Sequence, residues 1–564
     1  MIHGIVSAFR RFAGIAGAKP VVFFPVVVYL IALSGFVGDS YSRFDFPLDD
    51  AWIHRVYSRS IAFGHGFEYN EGKEEAGSTS PLCAIVTAPA HWLEAAGVDT
   101  VVVAVKLIGV LLGLAVLLAT NRVVRRVSGS ELAGCVGASL FALEPRFLFS
   151  SVSGMENILL LALWACGCAA LLGGRFLLSV ILFSLTPVTR PEAIVILPLC
   201  LPGLIQVSRT RGRSLATVGG WLIPVVPVLL WAAFCKSTTG HFLPNTYYLK
   251  ARPFQFGVDE VTLVWRSLFL NGLTPPWAYI PGVAACAVAC FMGARKVWPF
   301  LLLVAAPLVY LCGVVGTRDI FLEGYYWTRW LDPACIMLMI PFCVGCAVIL
   351  SGGLRRRAEG SEGRRLVGPG RRVRLFVGMV GVACLAAAVP SYRNSWADRR
   401  HHLSSDSRAI HILNVQTGEW IREHTPGASV VAVNDAGAIR YFGRRRTIRP
   451  HGVEQRGDRL SQDRRAADGR GRRLARHFSG LVPGVCHHGR HTDRLRAARG
   501  DTRSDEGVHR LQQPRTDCRR DLRAEGSRTK YIECSIGCAT DMWCWTLNGG
   551  SVGVCGAAFP TEEV

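Results

Sequence analysis

Long apolar runs, several of them closed by a cluster of arginines, constrain this chain more than any other feature. Pro20 to Gly38, Val101 to Thr120, Ala334 to Ser351 and several others approach the length that crosses a bilayer as helix. Half of the 564 residues are hydrophobic, 18% are charged, and the mean hydropathy is +0.29. An average soluble protein is less apolar. The fold class expected is an all-α polytopic membrane protein. The formal charge of +22 sits mostly in short inter-run loops and an arginine-rich tail. A nucleic-acid binder needs a basic folded face interleaved with aromatics, and none is visible.

Arg10, Arg11 and Lys19 precede the first run, which has no convincing cleavage site and is read as a retained signal-anchor. The positive-inside rule then places the N-terminus in the cytoplasm and Asp39 to Ser80 outside. Alternation onward from there gives about eleven transmembrane helices and an extracytoplasmic C-terminus. Pro81 to Ala96, interrupted by His91 and Glu94, is expected to lie at the interface or re-enter it. Three parts follow: a transmembrane domain over 1–391 with a first outer loop at 39–80, the start of an extracytoplasmic α/β domain at 392–446, and a tail at 447–564. The tail has no apolar periodicity and reads as frameshifted or disordered; a chain frameshifted there can be inactive. The 19 cysteines form no metal pattern, and Cys166, Cys168, Cys286, Cys290, Cys343 and Cys346 lie inside apolar runs.

The outer loop opens on two adjacent carboxylates, Asp49 and Asp50, which begin an amphipathic helix pattern. Charges at the mouth of a span need work or a partner. Helix capping is one role for them, and general-base chemistry is another. His54 follows Asp50 by one turn and is placed to hold its carboxylate. Other polar groups collect on the loops assigned outside: Glu156, Arg190 with Glu192, Asn245 with Lys250, and Arg329. An amphipathic helix through Trp420 and a strand at Ser429 to Val433 begin the α/β part.

In order along the chain, DDAWIHRVYSRSIAFGHGFEYNEG, GSTSPL, SGMEN (Ser153–Asn157), TRPE (Thr189–Glu192), LPNTYYLK (Leu243–Lys250), RWLDP (Arg329–Pro333) and NDAGAIRYFG (Asn434–Gly443) resemble the C-type (GT-C fold) glycosyltransferases. The nearest branch is the actinobacterial terminal β-(1→2) arabinofuranosyltransferases, with Trp52 where that branch has Tyr and Cys83 where an aromatic is commoner. The resemblance implies a plasma-membrane enzyme of cell-wall biogenesis. It would move a sugar, arabinofuranose in that branch, with inversion from a polyprenyl-phosphate donor to a cell-envelope glycan or glycolipid on the outer face. It implies Asp49 or Asp50 as base, Arg190, Lys250 and Arg329 as phosphate-binding candidates, and His54, Glu156, Glu192 and Asn245 as substrate-binding candidates. A divalent cation is compatible with the Asp pair but not demanded by it, and no nucleic acid is implied. A transporter or flippase of a lipid-linked or small substrate is the alternative; it calls for charges near the bilayer midplane and an internal repeat, whereas the charges here gather at the outer ends.

Overall fold

In the computed structural model the described residues are 20–211, 221–251, 254–269, 286, 301–318, 329–350, 392–433, 435–448, 542–544 and 552–557. They are predominantly helical. Two helices are long and apolar enough to cross a membrane, Val98–Ser128 and Pro191–Arg209. A third candidate is the pair Glu131–Ala142 and Pro145–Val152, bent by 66°. Shorter apolar helices include Asn157–Leu172, Leu301–Thr317 and Phe23–Phe36. About eleven spans were expected; those at 277–294 and 375–390 fall outside the described residues, apart from Cys286.

The expected continuous span Leu132 to Phe149 is broken. Leu143 closes the first helix and Pro145 opens the next at its N1 position, where a missing N–H costs nothing. The sequence pattern there is apolar throughout, so hydropathy alone does not register the corner. The Pro81 to Ala96 stretch is a helix, Pro81–Thr87, followed by a 3-10 segment, Ala88–Ala96. It leaves Trp92 and Leu93 exposed while burying His91.

One apolar core joins the helices. It includes Tyr29, Trp52, Phe141, Phe147, Trp164 and Tyr310, all 0 or 1% exposed. Trp52 is the link outward. It stacks edge-on to Phe46 and packs on Tyr441 and Phe442. The helix Asp49–Ala62 is therefore shared between the membrane core and the C-terminal part.

That C-terminal part is a small α/β unit. The helix Gln416–His424 and the strand β3 (Val430–Val433) lie where the sequence pattern put them. The helix Ala438–Gly443 then crosses to β4 (Arg446–Ile448), which runs parallel to β3. Two later strands, β5 (Met542–Cys544) and β6 (Val552–Ala557), complete a sheet of order β4-β3-β6-β5. The rest of the tail lies outside the described residues.

The outer loop is tied to this unit. Its hairpin, β1 (Glu68–Asn70) and β2 (Lys73–Glu74), turns through Glu71 and Gly72. Asn70 docks on β4 by imitating a strand backbone: its amide donates to the Thr447 carbonyl at 3.1 Å and its oxygen accepts the Thr447 N–H at 2.9 Å. Tyr69 donates to the Ala436 carbonyl, and Arg440 donates to the Tyr69 carbonyl at 2.9 Å.

Candidate functional site

The two aspartates at the start of the Asp49–Ala62 helix do different things. The helix has Leu48 at its N-cap, with no side-chain cap. Asp49 instead caps another helix. Its carboxylate accepts the Gly437 N–H at 2.7 Å, the Ala438 N–H at 2.8 Å and the Asn414 amide at 3.2 Å. Gly437 is required there by contact, since a Cβ would fall on the Asp49 carbonyl oxygen and 2.8 Å from its carboxyl carbon. Part of Asp49 stays accessible. Its carboxyl is nevertheless densely surrounded: burial and then the Asp435 charge push its pKa up to about 6, while the three donors pull the other way. The capping role weighed for the pair thus belongs to Asp49, though for the helix Ala438–Gly443 and not for its own.

Asp50 faces the opposite way, into the membrane part. Its carboxylate pairs with Arg329 at 2.5 Å and is 16% exposed, against 3% for the arginine. Expected to hold Asp50, His54 does not; its Nε2 lies 3.1 Å from Glu156, with both side chains 6% exposed. A helix advances about 100° per residue, and four steps carry His54 past Asp50 toward the SGMEN turn.

Gly154 makes that turn possible. Its φ of 71° suits glycine, and a Cβ would strike the Phe46 ring at 2.5 Å. The turn delivers Glu156 and Asn157 inward. Glu156 lies 3.6 Å from Arg190. Burial would raise its pKa, but Arg190 and His54 outweigh burial and hold it down to about 2. Asn157 accepts from Arg190 at 2.5 Å and donates to the Arg329 carbonyl at 3.3 Å. Glu192 sits 3.9 Å from Arg190, yet its main partner is Arg318, whose Nε donates at 2.8 Å and whose Nη2 donates to the same oxygen.

At the centre stands Trp330. Arg318, Arg190 and Arg329 lie 4.5, 4.7 and 5.2 Å from its ring centroid. Three guanidiniums and three carboxylates (Asp50, Glu156 and Glu192) therefore surround one indole. Arg318 also lies 5.1 Å over Tyr247, which brings in the LPNTYYLK segment. Asn245 opens the helix Asn245–Lys250, and its N–H donates to the Ala76 carbonyl at 3.2 Å. Thr246 bonds the Gly77 carbonyl at 2.6 Å. Lys250 closes that short helix beside Ala251, which bridges to Arg318.

Thus Asp50, His54, Glu156, Arg190, Glu192 and Arg329 come together, while Asp49 belongs to the α/β contact. Arg318, Trp330 and Asn157 were not singled out in the sequence as individual site residues. Arg318 ends an apolar run and reads there as an ordinary flanking charge; the GTRD sequence around it gives no sign of Glu192. Among the described residues no group of three or more His, Cys, Asp or Glu side chains could hold a metal. Asp49 and Asp50 point to different partners, so the pair does not converge on a cation.

A domain of unknown function (DUF8728) matches residues 402–475, which covers the α/β start and runs on past Arg446. No curated protein matches. Among solved structures, similarity is found to two proteins that were each solved with a lipid phosphate bound. One is the archaeal oligosaccharyltransferase AglB from Archaeoglobus fulgidus, in complex with an inhibitory peptide and a dolichol-phosphate (13% identity, 76% of this chain, TM-score 0.49). This chain spans 64% of that enzyme's length. Another is ArnT from Cupriavidus metallidurans bound to undecaprenyl phosphate (14% identity, 76% of this chain, 85% of that one, TM-score 0.46).

Proposed function

We propose that this chain is an integral-membrane inverting glycosyltransferase of the GT-C type. It takes a sugar from a polyprenyl-phosphate donor and passes it to a cell-envelope glycan or glycolipid on the extracytoplasmic face. The observation that carries this reading is the cluster around Trp330, in which a partly accessible carboxylate, Asp50, adjoins three guanidiniums. Inverting transfer needs that combination. The acceptor oxygen attacks the anomeric carbon and gives up its proton to a base, and the bond to the donor phosphate breaks with its electron pair leaving on the phosphate oxygen. Fixed cations stabilise the developing charge.

Asp50 is the proposed base. Arg329, Arg190 and Arg318 are the phosphate-binding groups, and Lys250 stays a candidate on the sequence resemblance alone. Without donor, the arginines are occupied by carboxylates. A phosphate arriving at Arg329 exchanges partners with Asp50 and releases the carboxylate to accept a proton. Glu156 and Glu192 hold the arginines in place, His54 and Asn157 orient Glu156 and Arg190, and Asn245 positions the loop above them. Asp49 positions the α/β unit against the same helix. The sequence resemblance favours arabinofuranose as the sugar.

The test is sugar transfer in membranes containing the chain, with labelled polyprenyl-phosphate pentoses and hexoses and a crude envelope glycan. Transfer from one donor class, abolished in Asp50→Asn at equal expression and retained in part in Asp49→Asn, is expected. Full transfer by Asp50→Asn removes the assigned base, and no transfer from any donor removes the reading.

A further inference from the structure

Behind the Asp50 face, the same helix carries a charge that lacks a counter-ion. Arg55 is 0% exposed, and none of its three guanidinium nitrogens makes a hydrogen bond. No carboxylate lies within ion-pair distance of it among the described residues. Its polar neighbours are the Cys83 thiol, a weak acceptor, and the Tyr441 hydroxyl. A fully buried cation of this kind is costly unless something offsets its charge.

The groups around it are short of acceptors, not donors. His91 is 0% exposed and neither ring nitrogen is hydrogen-bonded. The Tyr441 hydroxyl and the Trp52 indole N–H are likewise buried without a bond. The rings adjoin: Trp52 lies 5.1 Å and His91 6.0 Å from Tyr441. Trp52 and Arg55 share one face of their helix, one turn apart.

The chain's own groups cannot supply the missing negative charge. Burial pushes the Cys83 thiol up to about 11, so it remains protonated. Burial, then the Arg55 and Arg59 charges, hold His91 down to about 3, so it is a neutral N–H donor. The nearby carboxylate, Glu94, is 3.9 Å from His91 but is bound by Arg59 at 2.8 Å and Arg444 at 3.2 Å. Two arginines other than Arg55 thus already share that carboxylate.

We propose that Arg55, with the N–H and O–H groups of His91, Trp52 and Tyr441, encloses a small monovalent anion of the halide class, which pins the Asp49–Ala62 helix to the α/β unit. A monovalent ion neutralises Arg55, whereas a phosphate dianion would leave a buried excess. The site adjoins the Trp330 cluster through Cys83, which feels the Glu156 charge, but does not depend on the glycosyltransferase reading.

The test uses the full chain in detergent micelles, purified in sodium bromide and desalted into sodium gluconate of equal ionic strength. Bromide released on denaturation reports an occluded ion, and a melting temperature that rises with bromide over gluconate reports an exchangeable one. Either signal in the native chain, lost in Arg55→Met and weakened in Tyr441→Phe, is the expected result. Neither signal in the native chain means a site filled by water alone and overturns the proposal. So does undiminished bromide in Arg55→Met. Should Arg55→Met fail to fold, the native chain and Tyr441→Phe decide by themselves.

Discussion

Replacing Arg318 by methionine tests the Trp330 cluster most directly. Its guanidinium is 2% exposed and Glu192 is 3% exposed, with two N–H groups on one carboxylate oxygen. With charge centres about 4 Å apart and an effective dielectric of about 20, the attraction is about 4 kcal/mol. Removing one member of a buried pair costs about 3–5 kcal/mol, because the other charge is stranded. Arg190, 3.9 Å from Glu192, takes up part of the loss, so Arg318→Met should cost about 3 kcal/mol. Glu192→Met should cost a similar amount. The double variant replaces the pair with apolar side chains and should lie within about 1 kcal/mol of the native chain. Equilibrium unfolding in mixed micelles gives the coupling energy, the two single costs less that of the double variant, expected at about 5–7 kcal/mol. Additive costs, with coupling below about 0.5 kcal/mol, would refute the buried pair. Sugar transfer should stay lost in the stable double variant, because Arg318 is proposed to meet the donor phosphate as well as Glu192.

Gly437→Ala keeps an ordinary φ of −76° but collides with Asp49; overpacking of this kind costs about 1–3 kcal/mol, read as faster proteolysis of the C-terminal unit. Asn70→Ala removes both bonds to Thr447 and should cost about 1–2 kcal/mol by the same unfolding assay, with transfer reduced less than in Asp50→Asn. The Asp49 carboxyl has a folded pKa near 6, above the ordinary 3.8, so the folded state holds this proton more tightly. Its stabilising contribution is full below the ordinary value and is lost as pH rises through about 6. Melting temperatures of the native chain should therefore fall across that window more steeply than those of Asp49→Asn; parallel curves would contradict the assignment.

Periodicity carried the helical class, the helix through Trp420 and the short β3 strand, because each is local. Contacts between motifs far apart in the chain were not legible. Nothing in DDAWIH says that Asp49 caps a helix nearly four hundred residues later while its neighbour meets Arg329. The corner at Glu144 and Pro145 was hidden by uniformly apolar flanks. Arg318 was hidden because one arginine at the end of an apolar run looks the same whether it anchors to water or meets a buried glutamate. Arg55 was hidden for the same reason, as an amphipathic pattern does not show that both faces of its helix are covered.

Three positive charges within about 5 Å of one indole also have an optical consequence. The transition of Trp330 responds to the local electric field, and that field is set by which anions pair with Arg190, Arg318 and Arg329. A donor phosphate displacing the carboxylates would change its sign or magnitude along the ring. A fluorinated tryptophan at this position would then report occupancy by resonance shift, turning the arginine ring into a voltmeter for the site that needs no radiolabel and no turnover.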